Sequence, residues 1–166
     1  PQTLDDSSEW ITTLQDAFAD PKRTSGFLPL AEEALQDHPG DALILCLAAT
    51  AALLDHRPKW ALIYLKRYAK RYVPGESNHL LQALAVAQEG RFVAALRILQ
   101  RHDLTRPEQA LRFFPGGWER REWLRGQLGR ILREGPPNAP GVRFRSASVW
   151  RPDYWPRPGP LIVRAG

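Results

Sequence analysis

Several residue types and patterns are scarce in this chain, and each scarcity excludes a class of protein. The 166 residues contain one cysteine, Cys46, which excludes an internal disulfide and a cysteine-rich metal site. The longest apolar run, residues 42–54, is shorter than the roughly 20 residues that a membrane-spanning helix needs. The first ten residues are acidic and lack the basic and then apolar pattern of a secretory signal. We therefore expect a protein of a reducing compartment, the cytoplasm, without a membrane span.

Signatures of catalysis and of metal binding are also lacking. The sequence has no glycine-rich phosphate loop, nucleophile elbow or paired-carboxylate motif. The spacing of His38, His56, His79 and His102 is not that of zinc ligands. No cationic residue stands close to Cys46 in the sequence to lower its thiol pKa. These absences favour a non-enzymatic protein that uses no cofactor and no metal.

Charge is distributed unevenly along the chain, although the net charge is only +5. Residues 1–20 contain five acids and no base, whereas residues 57–72 contain six bases and no acid. Further arginines follow residue 135. This pattern can support contact with an acidic partner. Of the 23 bases, 19 are arginine, which can also reflect genome composition.

The pattern of residues 7–134 is helical, with short breaks rich in proline and glycine. Helix-start signals stand at Asp6, Pro29, Asp41, Pro58 and Ser77. They predict helices over about 6–19, 29–38, 42–54, 58–72 and 77–89, followed by helices over 91–103, a short segment from 107 and 118–134. From residue 135 the chain becomes rich in proline, arginine and tryptophan and loses the helical period.

The predicted helices form hairpins that superimpose when the sequence is shifted by 34 residues. This shift places Ala49 on Ala83 in first helices, and Ala61 on Ala95 in second helices. The segment "AEEALQDHPG" at 31–40 ends one unit, and "EGRFVAALRIL" at 89–99 has the central turn and second helix of another.

In these residues the chain resembles the tetratricopeptide repeat family in a degenerate form, with units at 8–41, 42–75 and 76–109. The resemblance implies an all-α, right-handed stack of about three helical hairpins, a TPR-like solenoid. We expect a C-terminal capping helix at 118–134, because Leu124, Leu128, Ile131 and Leu132 share one face. The remainder, 135–166, is an irregular Pro/Arg/Trp-rich tail, a linker or the start of a further domain.

The family resemblance also implies a concave surface lined by first-helix residues. Because helix 42–54 is apolar on all sides, something should cover this surface. The cover can be the tail, the superhelix itself, or an apolar helical or extended segment of another protein. Bacterial secretion chaperones built from such repeats are similar in size and groove polarity. The residues predicted to form the partner-binding groove are Leu43, Cys46, Thr50, Leu53, Leu54, Leu80, Leu84 and Gln88.

A second candidate surface lies in "WALIYLKRYAKRY", residues 60–72, where aromatic residues recur every four positions. The packing interpretation is that the rings fill space between repeats and the cations are solvated. The functional alternative is nucleic-acid or acidic-partner binding, which needs exposed rings or exposed cations. The alternative basic surface comprises Lys59, Lys66, Arg67, Lys70 and Arg71.

The function predicted from the sequence is a non-catalytic protein-interaction module, either an adaptor or a chaperone-like holder of an apolar segment. Two alternatives stay open at this point. One is binding of nucleic acid or another acidic partner through the basic helix and the arginine-rich tail. The other is an accessory N-terminal module of a larger enzyme.

Overall fold

The structure is a computed structural model that describes the backbone of residues 2–136 and the side chains of residues 7–136. None of these residues forms a strand, so the all-α prediction is confirmed for the described part of the chain. The predicted tail lies almost wholly outside it. The helices are α1 (Gln2–Ala19), α2 (Phe27–Asp37), α3 (Ala42–Leu54), α4 (Pro58–Arg71), α5 (Glu76–Gln88), α6 (Phe92–Arg101), α7 (Pro107–Ala110) and α8 (Arg121–Glu134), with 3-10 helices at Leu111–Phe113 and Trp118–Arg120.

The first six helices pack mainly on their neighbours in the chain. Each contacts the next one, and in addition α3 contacts both α1 and α5. Small residues lie where the helices approach, and Ala49, Ala61, Ala83 and Ala95 are all fully buried. These contacts agree with helical hairpins packed in series, while the right-handed solenoid of three units stays a prediction.

Helix α3 is the centre of the core. Asp41 caps it, because its Oδ1 accepts a hydrogen bond from the backbone N–H of Ile44 at 3.0 Å. All residues from Ile44 to Leu54 are buried, as an all-apolar helix requires. The start and the burial of this helix therefore follow from its local sequence.

Helix α2 begins two residues before the predicted Pro29. The carboxylate of Asp55 accepts hydrogen bonds from the backbone N–H groups of Phe27, at 3.3 Å, and Leu28, at 2.8 Å. Unpaired N–H groups of a first helical turn need such a partner. Because Asp55 lies 28 residues further along the chain, no local sequence signal placed this start.

Helix α5 also begins earlier than predicted. The side chain of Asn78 accepts from the backbone N–H of Gly75 at 2.9 Å, which fixes the entry to the helix. The prediction that Ser77 caps this helix is wrong. Its hydroxyl lies inside the first turn and instead donates to the backbone oxygen of Phe113 at 2.6 Å.

Residues 107–134, which we call the closing segment, extend further than a terminal cap. Helix α8 contacts α5 and α6, while the 3-10 helix Trp118–Arg120 contacts α1 at the other end of the helix series. Leu124, Leu128 and Ile131 are fully buried along one face of α8, and Leu132, predicted on the same face, is half-buried against the core. A cap that only terminated the series would contact α6 without reaching α1. The closing segment therefore ties the last helices to the first.

Candidate functional site

Most of the residues predicted to form an apolar groove lie in the core. Gln88 is half-buried, and its Nε2 donates to the backbone oxygen of Leu53 at 2.9 Å, which joins α5 to α3. Leu43 is the exception, with 44% of its surface exposed. The six buried members of the predicted groove are Cys46, Thr50, Leu53, Leu54, Leu80 and Leu84.

Cys46 and Thr50 also have packing roles. The Thr50 hydroxyl donates to the backbone oxygen of Cys46 at 3.0 Å, and the Asn78 amide lies 3.5 Å from the Cys46 sulfur. Burial raises the pKa of the Cys46 thiol, and the hydrogen bond from Asn78 only partly opposes this. A buried thiol with a raised pKa is a poor nucleophile at neutral pH.

These positions do not form a groove that is open to solvent. Helices α3 and α5 contact each other directly, and α5 also contacts α8 and the 3-10 helix Leu111–Phe113. Other helices of the chain therefore cover the apolar faces of α3 and α5. Cover by the stacked helices themselves was one of the possibilities that the sequence allowed. The family resemblance predicted that these residues line a concave surface, and it did not predict the contact between α3 and α5.

The other predicted surface is accessible. Lys59, Ile63, Lys66 and Lys70 follow a spacing of four, three and four residues, which places them along one side of α4. All four are exposed, and Ile63 has 41% of its surface accessible among the lysines. A second exposed row beside them contains Trp60, Arg67 and Arg71. We call these seven residues the basic face.

Ion pairs do not neutralise the basic face. The ion pairs found among residues 7–136 involve Arg91, Arg121 and Arg125, and none of the five cations of α4. Lys66 and Lys70 are four residues apart, where like charges destabilise a helix by a few tenths of a kcal/mol. The helix dipole stabilises Lys70 and Arg71 in the last turn but does not stabilise Lys59 in the first turn. The helix thus carries a charge that an acidic partner would offset.

The aromatic residues of α4 are engaged within the chain. Tyr64 is buried and stacks on Trp60 with ring centroids 6.0 Å apart. Burial, followed by the charge of Glu32, raises the pKa of the Tyr64 phenol. Tyr68 packs against Tyr72 with centroids 5.0 Å apart. The expectation that the rings of this helix fill space is correct for buried Tyr64 and half-buried Tyr68.

Sequence reasoning missed one part of this surface. The packing interpretation placed all four rings between repeats, yet Trp60 is 39% exposed beside the cations. A helical projection of α4 contains the signal, because Trp60 lies seven residues before Arg67 and therefore on the same side.

The described residues contain no cluster of three His, Cys, Asp or Glu side chains arranged to hold a metal ion. Across the same residues, no helix combines the length and apolar character needed to span a membrane. Comparisons with protein-family models, curated proteins and solved structures gave no match to this chain.

Proposed function

We propose that this chain is a non-catalytic protein-interaction module that binds an acidic segment of another protein through the basic face of α4. The observation that carries the proposal is a row of three exposed lysines with an exposed isoleucine, Ile63, among them. Cations attract and orient an acidic partner, and buried apolar contacts supply much of the affinity. A surface with both features matches an acidic amphipathic segment.

The basic face supports this role better than the predicted apolar groove does. A partner on the basic face meets side chains that are already exposed, whereas a partner for Leu53 or Leu84 would have to displace helices of this chain. Binding that first requires core leucines to be exposed would lose the free energy of their burial. The apolar-groove hypothesis stays a prediction, and the accessible surface is the stronger basis for function.

A protein partner fits the basic face better than single-stranded nucleic acid. Nucleic-acid binding of that kind uses free aromatic faces on which bases stack, together with cations for the phosphates. Here one face of Trp60 is occupied by Tyr64, and the Tyr72 hydroxyl donates to the backbone oxygen of Gly40. Ile63, at the centre of the lysines, offers no stacking surface and instead suits an aliphatic side chain of a partner.

The test compares two probes on the full chain. The first is a synthetic amphipathic helix with leucines on one face and glutamates elsewhere, and the second is single-stranded DNA of equal charge. We expect the peptide to bind more tightly, with a modest loss between about 50 and 200 mM salt, while phosphate binding falls steeply over that range. Tighter binding of DNA than of the peptide would contradict the proposal.

Matched charge reversals locate the site. Lys66→Glu with Lys70→Glu should weaken peptide binding about tenfold, equivalent to about 1.4 kcal/mol. Lys22→Glu with Arg112→Glu changes the net charge equally at exposed positions off the basic face and should leave binding nearly unchanged. Equal losses for the two double variants would show attraction to net charge and would overturn the assignment of the site.

A further inference from the structure

A surface cleft of about 460 Å³ lies where the α1–α2 loop, the start of α2 and the α3–α4 turn meet. This volume is in the range of clefts that bind ligands or partner side chains. Its apolar walls come from Leu28, Pro29, Leu54 and Trp60. Its polar lining comprises Thr24, Ser25, Gly26, Glu32, Asp55, His56 and Arg57.

The walls of this cleft are held by contacts that exist without a ligand. Asp55, on one wall, accepts from the first N–H groups of α2, on the opposite wall. Gly26 has a φ of +78°, a backbone conformation that glycine adopts without steric cost. The guanidinium of Arg23 donates to the Gly26 backbone oxygen at 3.0 Å. The cleft is thus preformed, which lowers the ordering cost of binding.

The cleft is continuous with the basic face. Trp60 lines the cleft and also stands in the second row of the basic face, next in sequence to Lys59. Arg57, which also lines the cleft, precedes α4 and extends the positive charge beyond the N-terminus of this helix. A segment that lies along the lysines and continues past Lys59 therefore reaches Trp60, which lines the cleft.

The cleft favours a different side chain from the one favoured by the lysines. Glu32 and Asp55 place two carboxylates in its lining, and these disfavour a further acid there. Arg57 also lines the cleft and disfavours a cation, and the N–H groups of Phe27 and Leu28 offset the charge of Asp55. Leu28, Pro29 and the indole of Trp60 instead offer apolar contact to an uncharged side chain.

We propose that this cleft is an anchor site that takes one large apolar side chain, aromatic or leucine, from the acidic segment bound on the basic face. The inference rests on the proposed function and makes it more specific. The partner motif is a run of acids that contacts the lysines of α4, with a single bulky apolar residue near the end that passes Trp60. One buried anchor in a preformed pocket typically dominates the affinity of such a contact.

The experiment selects displayed random peptides on the full chain and on two variants. The wild-type chain should enrich peptides that combine several acids with one large apolar residue. Ser25→Trp places an indole at the exposed lining of the cleft and should keep the enrichment for acids while it removes the preference for the apolar residue. Lys66→Glu with Lys70→Glu should remove the enrichment for acids.

A peptide enriched on the wild-type chain then provides two further readouts. The peptide should bind Ser25→Trp with about tenfold lower affinity than the wild-type chain. Replacement of the apolar residue of the peptide by alanine should lower its affinity for the wild-type chain by the same factor. In the NMR spectrum of the wild-type chain, the indole N–H resonance of Trp60 is the one that is missing from the spectrum of Trp60→Phe. This resonance should shift when the peptide binds. Thr24→Trp, at the neighbouring exposed position, serves as a second cleft-filling variant if Ser25→Trp does not keep the wild-type circular dichroism spectrum.

The outcomes separate the two proposals. If the folded cleft-filling variant enriches acidic peptides and still prefers the apolar residue, the anchor site is overturned and the basic face stays in place. An unshifted Trp60 resonance on peptide binding would do the same. Absence of acid enrichment on the wild-type chain would overturn the proposed function and, with it, the anchor.

Discussion

The Nε of Arg120 donates to the backbone oxygen of Phe18 at 2.8 Å, which joins two residues that are 102 positions apart in the chain. The same guanidinium donates to the backbone oxygens of Asp20, at 3.0 Å, and Arg23, at 3.1 Å. It also lies over the ring of Phe27, 5.0 Å from the centroid. One side chain of the closing segment thus satisfies three carbonyls at the end of α1 and in the following loop.

Replacement of Arg120 should therefore lower global stability. Arg120→Ala removes three hydrogen bonds to backbone oxygens, although the Asp20 oxygen keeps the backbone N–H of Arg23 as a donor. We expect a loss of about 2–3 kcal/mol in the free energy of unfolding. Arg120→Lys keeps the charge but loses the planar fork, so its loss should be intermediate. Urea denaturation measures the change, and Arg112→Ala, an exposed arginine of the same segment, is the control. A loss in Arg120→Ala no larger than in this control would show that the contact adds no stability.

The Asp55 cap of α2 gives a second prediction. Asp55→Ala removes the acceptor of the Phe27 and Leu28 N–H groups and should cost about 1–2 kcal/mol. Asp55→Asn keeps a side-chain oxygen and should cost less. Thermal unfolding followed by circular dichroism measures both variants. Equal losses for alanine and asparagine would indicate that the charge of Asp55, and not its hydrogen bonds, stabilises this helix start.

Gly126, within the closing segment, and Gly135, directly after it, should change stability in opposite directions when replaced by alanine. A Cβ on Gly135 would lie 2.6 Å from the Ile131 backbone oxygen and 2.7 Å from the Leu96 Cβ. Gly135→Ala should therefore destabilise the chain by about 1–3 kcal/mol. Gly126 is exposed within α8, and a Cβ there would meet nothing within 4 Å. Gly126→Ala should stabilise by about 0.5–1 kcal/mol, through helix propensity.

The unfolding midpoints of the two glycine variants in urea provide the comparison. If Gly135→Ala were as stable as the wild-type chain, the close approach of the end of α8 to α6 would be wrong.

The imidazole rings of His79 and His102 stack with centroids 3.5 Å apart and planes 5° from parallel, and this pair should make stability depend on pH. Burial and then the neighbouring His102 lower the pKa of His79, with Arg101 acting in the same direction and Glu76 opposing them. In the unfolded chain His79 has the ordinary histidine pKa of about 6.5. Near this pH, His79 therefore binds more protons in the unfolded chain than in the folded chain.

Because the unfolded chain binds more protons, a lower pH favours unfolding. The free energy of unfolding should fall as the pH drops below about 6.5 and level off once the pH lies below the lowered folded pKa. His79→Gln should remove part of this slope, and urea denaturation between about pH 7.5 and pH 5 measures it. His56→Gln, which changes an exposed histidine outside the stacked pair, is the control. A His79→Gln slope identical to that of the wild-type chain would exclude the stacked pair as its source.

The elements that sequence reasoning predicted well are those specified by their own residues. Asp41 caps α3 through an N–H three residues away, and the apolar composition of α3 requires burial. The alternation of cations and apolar residues along α4 likewise predicts one exposed and one buried side. The elements that it misplaced depend on distant partners, as shown by the start of α2 at Phe27 and by the hydroxyl of Ser77.

The sequence by itself determined that the described chain is helical, where most helices lie and which side of α4 carries its cations, because these features depend on contacts within one or two turns. Tertiary structure alone decided which helices of the chain cover Leu53 and Leu84 and that Trp60 lines a cleft. Their surroundings come from helices and loops far away in the chain, and the helical period of one segment carries no information about which distant surface covers it. Packing between helices therefore determines which residues are accessible to solvent, whereas the local sequence determines the charge of that surface.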